Sequence, residues 1–180
     1  MRDTLRRRLI ISHMLPVLVI IPLMGIVLIY VLETQVAVPN LTREMVEQAA
    51  LVAEISRDTP TVWTDTTTAQ DLVKRVSRHF DLRLMLLDRD GRLLASSDTA
   101  DAGRIGQVLS APDLSRALSG ETVVRADYFS PSLKTVVADV WQPVSQANQS
   151  MSGIVRLSSP LSRVFDRFLM LRYIVASILI

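Results

Sequence analysis

LRLMLLDRDGRLLASS, residues 82–97, decides the fold. Two apolar runs flank Asp88-Arg89-Asp90-Gly91, and a glycine closing so short a connection supplies the positive φ it needs, so the stretch reads as a β-hairpin. Three further strands follow as ETVVRADYF (121–129), KTVVADVWQPV (134–144) and MSGIVRLS (151–158). They are joined through Ser130-Pro131-Ser132 and through residues 145–150. Between the hairpin and these strands, residues 99–106 read as a loop in which Gly103 and Gly106 bracket Arg104. Residues 112–118 read as a short helix opened by Pro112 and Asp113 and closed by Gly120.

Upstream of the hairpin, LTREMVEQAALVAEISRD (41–58) carries Leu41, Met45, Ala49, Val52 and Ser56 three or four apart, a helical stripe with Asn40 as its N-cap. The stripe has two readings. It packs against the chain's own sheet, or part of it meets the same helix in a second copy, with Leu41, Met45, Ala49 and Val52 as the dimer and signalling positions. Residues 61–68 form a polar connection around Trp63. Residues 69–80 then form a second helix, with Leu72, Val73, Val76 and Phe80 on one side and a surface His79 beside the basic face. Helices outside five strands make this an α+β fold, an antiparallel sheet covered on at least one face, in a domain of roughly 100 residues.

Outward again, Leu9 to Leu32 reads LIISHMLPVLVIIPLMGIVLIYVL, with His13 the one ionisable side chain besides tyrosine. A helix of that length reaches roughly 36 Å, enough for a hydrocarbon layer of roughly 30 Å with some tilt. The run is too long for a signal-peptide core, and no small-x-small cleavage pattern follows it. Arg2, Arg6, Arg7 and Arg8 precede it and Glu33 follows. Residues 1–8 are therefore expected to be a cytoplasmic basic tail, 9–32 a first transmembrane helix in the plasma membrane, and 33–167 extracytoplasmic. Pro160 releases the chain into a helix over 161–171. Residues 168–180, FLMLRYIVASILI, are apolar apart from Arg172 and too short to span; they are expected to be the start of a second, truncated transmembrane helix, with Tyr173 at the interface.

Composition narrows the function. Without cysteine there is no disulfide framework, thiolate nucleophile or zinc-thiolate cluster, and two histidines argue against a polyhistidine metal site. Residues 33–168 hold 15 basic and 17 acidic side chains, so no basic stripe for nucleic acid exists outside the orienting arginines. Asp88, Asp90, Asp98 and Asp101 lack the spacing of a calcium loop and read as turn residues. No catalytic residue, metal or cofactor is expected.

The basic start, the apolar helix, the LTREMVEQAALVAEI helix, the LMLLDRDGRLLASSD hairpin and the GIVRLSSPLSRVF lead-out resemble the extracytoplasmic sensor of a bacterial membrane-bound histidine kinase, of the PAS-like type also called Cache or PDC. The resemblance implies a five-stranded antiparallel sheet flanked by a long N-terminal helix and shorter helices, between two transmembrane helices. It also implies a missing cytoplasmic output: a HAMP linker, a phosphoacceptor domain and an ATP-binding domain acting on a response regulator. Chemoreceptors and diguanylate cyclases carry similar sensors. A membrane-anchored envelope interaction domain is the alternative from a different class.

Strand alternation selects the candidate site. Arg125 shares parity with Val123 and Asp127, opposite Tyr128, and Asp139 is a charge inside an apolar strand that needs a donor among Arg83, Arg125 and Arg156. The reading is either a salt bridge on the sheet or a small-ligand site made by Arg83, Arg125, Tyr128, Asp139 and Arg156. In the related sensors, ligands lie on the sheet face under loops equivalent to 99–106 and 130–133. Expected partners are the lipid bilayer, a second copy of the chain, and a small-molecule or envelope-protein signal.

Overall fold

The computed structural model describes residues 2–79, 81–131, 133–145 and 150–162, together with Asp166, Leu169, Tyr173, Ile174 and Ser177. It divides into two compact units, Met1–Pro39 with Ser162–Ile180, and Asn40–Leu161. In the first, α1 (Arg2–Leu32) contains Pro16 and Pro22 and exposes apolar side chains including Ile20, Leu23, Met24 and Val27. Among the described residues one helical run, near the N-terminus, is long and apolar enough to cross a bilayer. Most of 163–180 lies outside the described residues, and with it the expected helix over 161–171 and the second membrane segment.

The second unit is a five-stranded antiparallel sheet in the order β2-β1-β5-β4-β3, from β1 (Arg83–Asp88), β2 (Leu93–Ser96), β3 (Val123–Ser130), β4 (Thr135–Ser145) and β5 (Met151–Pro160). The β1–β2 turn is the expected one: Gly91 has φ 77°, and the Asp88 carboxylate accepts from the Asp90 and Arg92 N–H groups at 2.8 Å each. The positive φ selects glycine there; a Cβ would meet only the terminal methyls of Leu114, the nearer at 2.9 Å.

A π-helical turn (Glu33–Ala37) precedes α2 (Val38–Arg57), so Asn40 lies inside the helix and is not its N-cap. Pro39 lies just after the π-helical turn inside a helical run that continues through Arg57, so Asn40 has helical residues on both sides. Met45, Ala49, Val52, Ala53 and Ser56 are buried, which is the packing reading of the stripe. Leu51 and Ile55, on the other side of α2, are exposed.

The connection around Trp63 is not a polar loop but a 3-10 turn (Pro60–Trp63) with Val62 and Trp63 buried. Helix α3 (Thr66–Val76) starts three residues before the expected position, because Asp65 caps it by accepting from Thr67 N–H at 3.2 Å and Thr68 N–H at 2.9 Å. It ends in a 3-10 turn (Ser77–His79) with His79 exposed; Phe80 lies outside the described residues. Trp63 explains a glycine in mid-strand: a Cβ on Gly153 would collide with the Trp63 ring and the Leu87 carbonyl.

Both faces of the sheet are covered, so β1 and β2 are buried almost throughout and lack the in-out alternation of a one-sided sheet. Leu84, Leu86, Val155, Leu157 and Val140 fill the face that carries Trp63. The opposite face holds a cluster of Met85, Leu87, Leu93, Val123, Trp141 and Ile154 with Leu109, Leu114 and Ala117, the last two from α4 (Leu114–Leu118). Helix α4 is shorter than expected, starting after Asp113 and closed by Gly120 at φ 91°.

The outer edge of β2 is occupied. Its first half pairs with the returning chain, through Leu93 N–H to Gln107 O at 2.9 Å and Gly106 N–H to Leu93 O at 2.7 Å. At Ser96 the Gln70 amide takes over, donating to the Ser96 carbonyl at 2.8 Å and accepting from its N–H at 3.3 Å.

Candidate functional site

The ladder register builds the site. Arg83 lies opposite Ser158, Ser158 opposite Asp139, and Asp139 opposite Arg125, a polar row across four strands. The adjoining row runs Ser96, Met85, Arg156, Trp141 and Val123. All of these share the face that α4 covers, because alternate residues of a strand point the same way. A bulge between Arg125 and Tyr128 adds a residue to β3, so Tyr128 pairs with Val137 and returns to this face. Parity along the sequence had put it on the opposite side, and the bulge corrects that. Arg83, Arg125, Tyr128, Asp139 and Arg156 thus lie on one face, Tyr128 half-buried one row beyond the others.

Each arginine has an aspartate. Arg156 Nη2 donates to Asp139 Oδ2 at 2.5 Å, and Ser158 Oγ donates to the same carboxylate. Of the three donors considered for Asp139, the structure selects Arg156, although Arg125 is its ladder neighbour. Arg125 turns to Asp113, with Nε 2.8 Å from Oδ2 and Nη2 3.0 Å from Oδ1, a two-pronged contact matched to the planar guanidinium. Arg83 pairs with Asp101, Nε donating to Oδ2 at 2.9 Å and Nη2 to Oδ1; Arg104 approaches the same carboxylate at 3.2 Å, and Ser96 Oγ donates to it at 2.6 Å. Asp101, Asp113, Asp139, Arg83 and Arg156 are all buried.

Asp101 and Asp113 belong to the site but were not among its sequence candidates. Asp101 read as one of a group of turn aspartates and Asp113 as a first-turn helix residue. The expected loop over 99–106 contains a 3-10 helix (Thr99–Arg104) capped by Asp98, and that turn drives Asp101 inward while Asp98 stays at the rim. Asp113 makes no capping bond and spends its carboxylate on Arg125. One signal was present: arginines on strands covered on both faces need counter-charges, and the β2–β3 connection is where aspartates are available.

Electrostatics follow from this pairing. Burial raises the Asp101 pKa, but the hydrogen bonds from Arg83 and Ser96 and the charges of Arg83 and Arg104 outweigh it and hold the carboxyl below its usual 3.8. Two donors on the same face stay without partners, the indole Nε1–H of Trp141 and the Nε–H of Arg156, whose guanidinium lies 4.3 Å from the Trp141 ring centroid. An acceptor beside either one, from a water or a ligand, would relieve a buried orphan. The arrangement can bind or transmit. It offers no nucleophile paired with a base, and no group of three or more His, Cys, Asp or Glu side chains suited to a metal occurs among the described residues.

The α+β domain, with a long N-terminal helix and an antiparallel sheet, has a PAS-like fold like that of the Cache or PDC domains. The sequence matches no family model and no curated protein. Solved structures carry the likeness. The sensor domain of Escherichia coli DcuS matches at 24% identity and TM-score 0.55, over 71% of this chain and 98% of that one. An extracellular ligand binding receptor from Desulfohalobium retbaense matches at 17% and 0.57, over 76% of this chain and 26% of that one. The ligand-binding domain of the Campylobacter jejuni chemoreceptor Tlp3, solved with 4-methylisoleucine, matches at 15% and 0.54, over 75% and 60%. The chain therefore spans nearly all of the first but less than two thirds of the other two, and what is shared is the fold.

Proposed function

We propose that the chain is the sensory and transmembrane region of a two-component sensor histidine kinase, with residues 33–167 outside the plasma membrane and residues 168–180 entering a second membrane helix. The observation that carries this reading is the order of parts, a basic start, an apolar helix and then a PAS-like domain that spans 98% of the DcuS sensor domain. The same sensor could serve a chemoreceptor or a diguanylate cyclase, since the fold sets the input and not the output. In this reading the cytoplasmic kinase domains and the response regulator act downstream of the residues described.

The signal we assign is a small acidic or polar metabolite taken up on the sheet face, with the unpartnered donors of Trp141 and Arg156 supporting an acceptor-bearing ligand. Detergent-solubilised chain should gain thermal stability from such a ligand, because binding only the native state adds RT ln(1 + [L]/Kd). Arg125→Ala should remove that gain while the fold persists. A flat response across a broad metabolite screen would reject direct small-molecule sensing. One observation favours a second reading, a membrane-anchored envelope interaction domain: Arg83, Arg125 and Arg156 are each already matched by an aspartate. Unfolding by Arg125→Ala would support that structural role. Homodimerisation belongs to the proposal too, and on α2 it falls to the exposed side of Leu51 and Ile55.

A further inference from the structure

The tip of the β3–β4 hairpin is an exposed apolar patch. Phe129 and Val136 face each other across the ladder, 58% and 38% exposed, and neither lies on the face that holds the arginines. Pro131 and Lys134 are exposed between them. Lys134 is the one non-glycine residue with positive φ among those described, at 52°, a conformation that glycine or asparagine would hold with less strain. A lysine kept there at conformational cost points to a use for its charge.

The hairpin tip lies where the chain leaves the sheet. Val137 pairs with Pro160, and Leu161 N–H donates to the Val136 carbonyl at 2.9 Å. From Leu161 to Phe168, where the apolar run begins, the backbone can extend at most about 25 Å. In the two-pass reading, no more than that length of chain separates the hairpin tip from the start of the apolar run. An aromatic ring, an aliphatic side chain and a lysine together are the chemistry of a lipid headgroup boundary.

We propose that the β3–β4 hairpin tip, through Phe129, Val136 and Lys134, docks onto an anionic lipid surface and braces the sensor domain against the membrane. The inference rests on the two-pass reading above but not on ligand binding. Because the chain is free of cysteine, single cysteines can carry an environment-sensitive fluorophore. Full chain labelled separately at Phe129→Cys, Val136→Cys, Ile174→Cys and Val108→Cys would be placed in nanodiscs of phosphatidylglycerol and phosphatidylcholine with spin-labelled lipid. Val108 is exposed beside the β1–β2 turn, at the opposite end of the sheet, and serves as the distant control.

Loss of emission is expected at 129 and 136 with shallow quenchers and at 174 with deep ones, while 108 stays bright. Quenching at 129 should weaken in pure phosphatidylcholine. It should weaken also in Lys134→Glu and in Lys134→Gly, the latter relieving strain while removing charge. Quenching at 174 without any at 129 or 136 would overturn the docking and leave the two-pass reading standing. Bright probes at 129, 136 and 174 would overturn both. A blue shift at 129 that follows the number of chains per disc, and not the lipid quencher, would assign the patch to a second copy and overturn the lipid assignment.

Discussion

Arg156 and Asp139 sit side by side in a covered sheet, and their value lies less in attraction than in what either would become alone. Removing one partner of a buried pair strands the other and costs about 3–5 kcal/mol, whereas replacing both with neutral groups of similar size is often close to neutral. Arg156→Met and Asp139→Asn should each lower the urea midpoint sharply, and the double variant should be more stable than either. Both tryptophans of the chain, Trp63 and Trp141, lie in the α+β domain, so their fluorescence follows its unfolding in the detergent-solubilised protein. Asp101 adds a pH dependence. Its native pKa lies below the 3.8 of an unfolded aspartate, so its ionised form stabilises the fold fully above that value, and the stabilisation is lost as pH falls toward the lowered native value. Asp101→Asn should weaken this acid-dependent loss, leaving a flatter curve of stability against pH between about 4 and the acid limit.

At the scale of elements, Gly153 fixes how closely the Trp63 turn approaches β5. Gly153→Ala should destabilise the domain by about 1–3 kcal/mol, the usual range for overpacking, and a smaller apolar residue at position 63 should recover part of the loss. Asp65→Ala should lower the melting temperature by uncapping α3, with no change at the sheet face. Strands were legible because 82–97 carries apolar runs broken by a turn and 134–144 is rich in β-branched residues. Helix starts were less so: α3 begins at Asp65 with three threonines, where an intrinsically poor helix sequence is rescued by its cap. The inward turn of Asp101 was hidden because a 3-10 turn and a loop share one composition. The facing of Tyr128 was hidden because a bulge leaves no mark on alternation until its partner strand is known. The cluster of arginines on one face was readable; which aspartate each would take was not, since that depends on how the β2–β3 connection folds back.

For the whole molecule, alkaline phosphatase fused after Ser97 should be active and green fluorescent protein fused there should be dark, if the proposed orientation holds. The reverse pattern would invert the topology. Single cysteines along α2 should form dimer crosslinks at Leu51 and Ile55 and not at Met45 or Ala49, which their own domain covers. Crosslinking at the buried positions, or none anywhere, would reject a dimer on that side. The Gln70 amide at Ser96 bears on the molecule's behaviour at high concentration. A carboxamide presents one donor and one acceptor much as a peptide unit does, so the sheet ends at this margin on a false strand that cannot be extended. Gln70→Leu would expose a live template there, and the expected result is growth of concentration-dependent aggregates from an otherwise folded domain. A single side chain thereby separates a domain that stays dispersed from one that recruits its neighbours edge to edge.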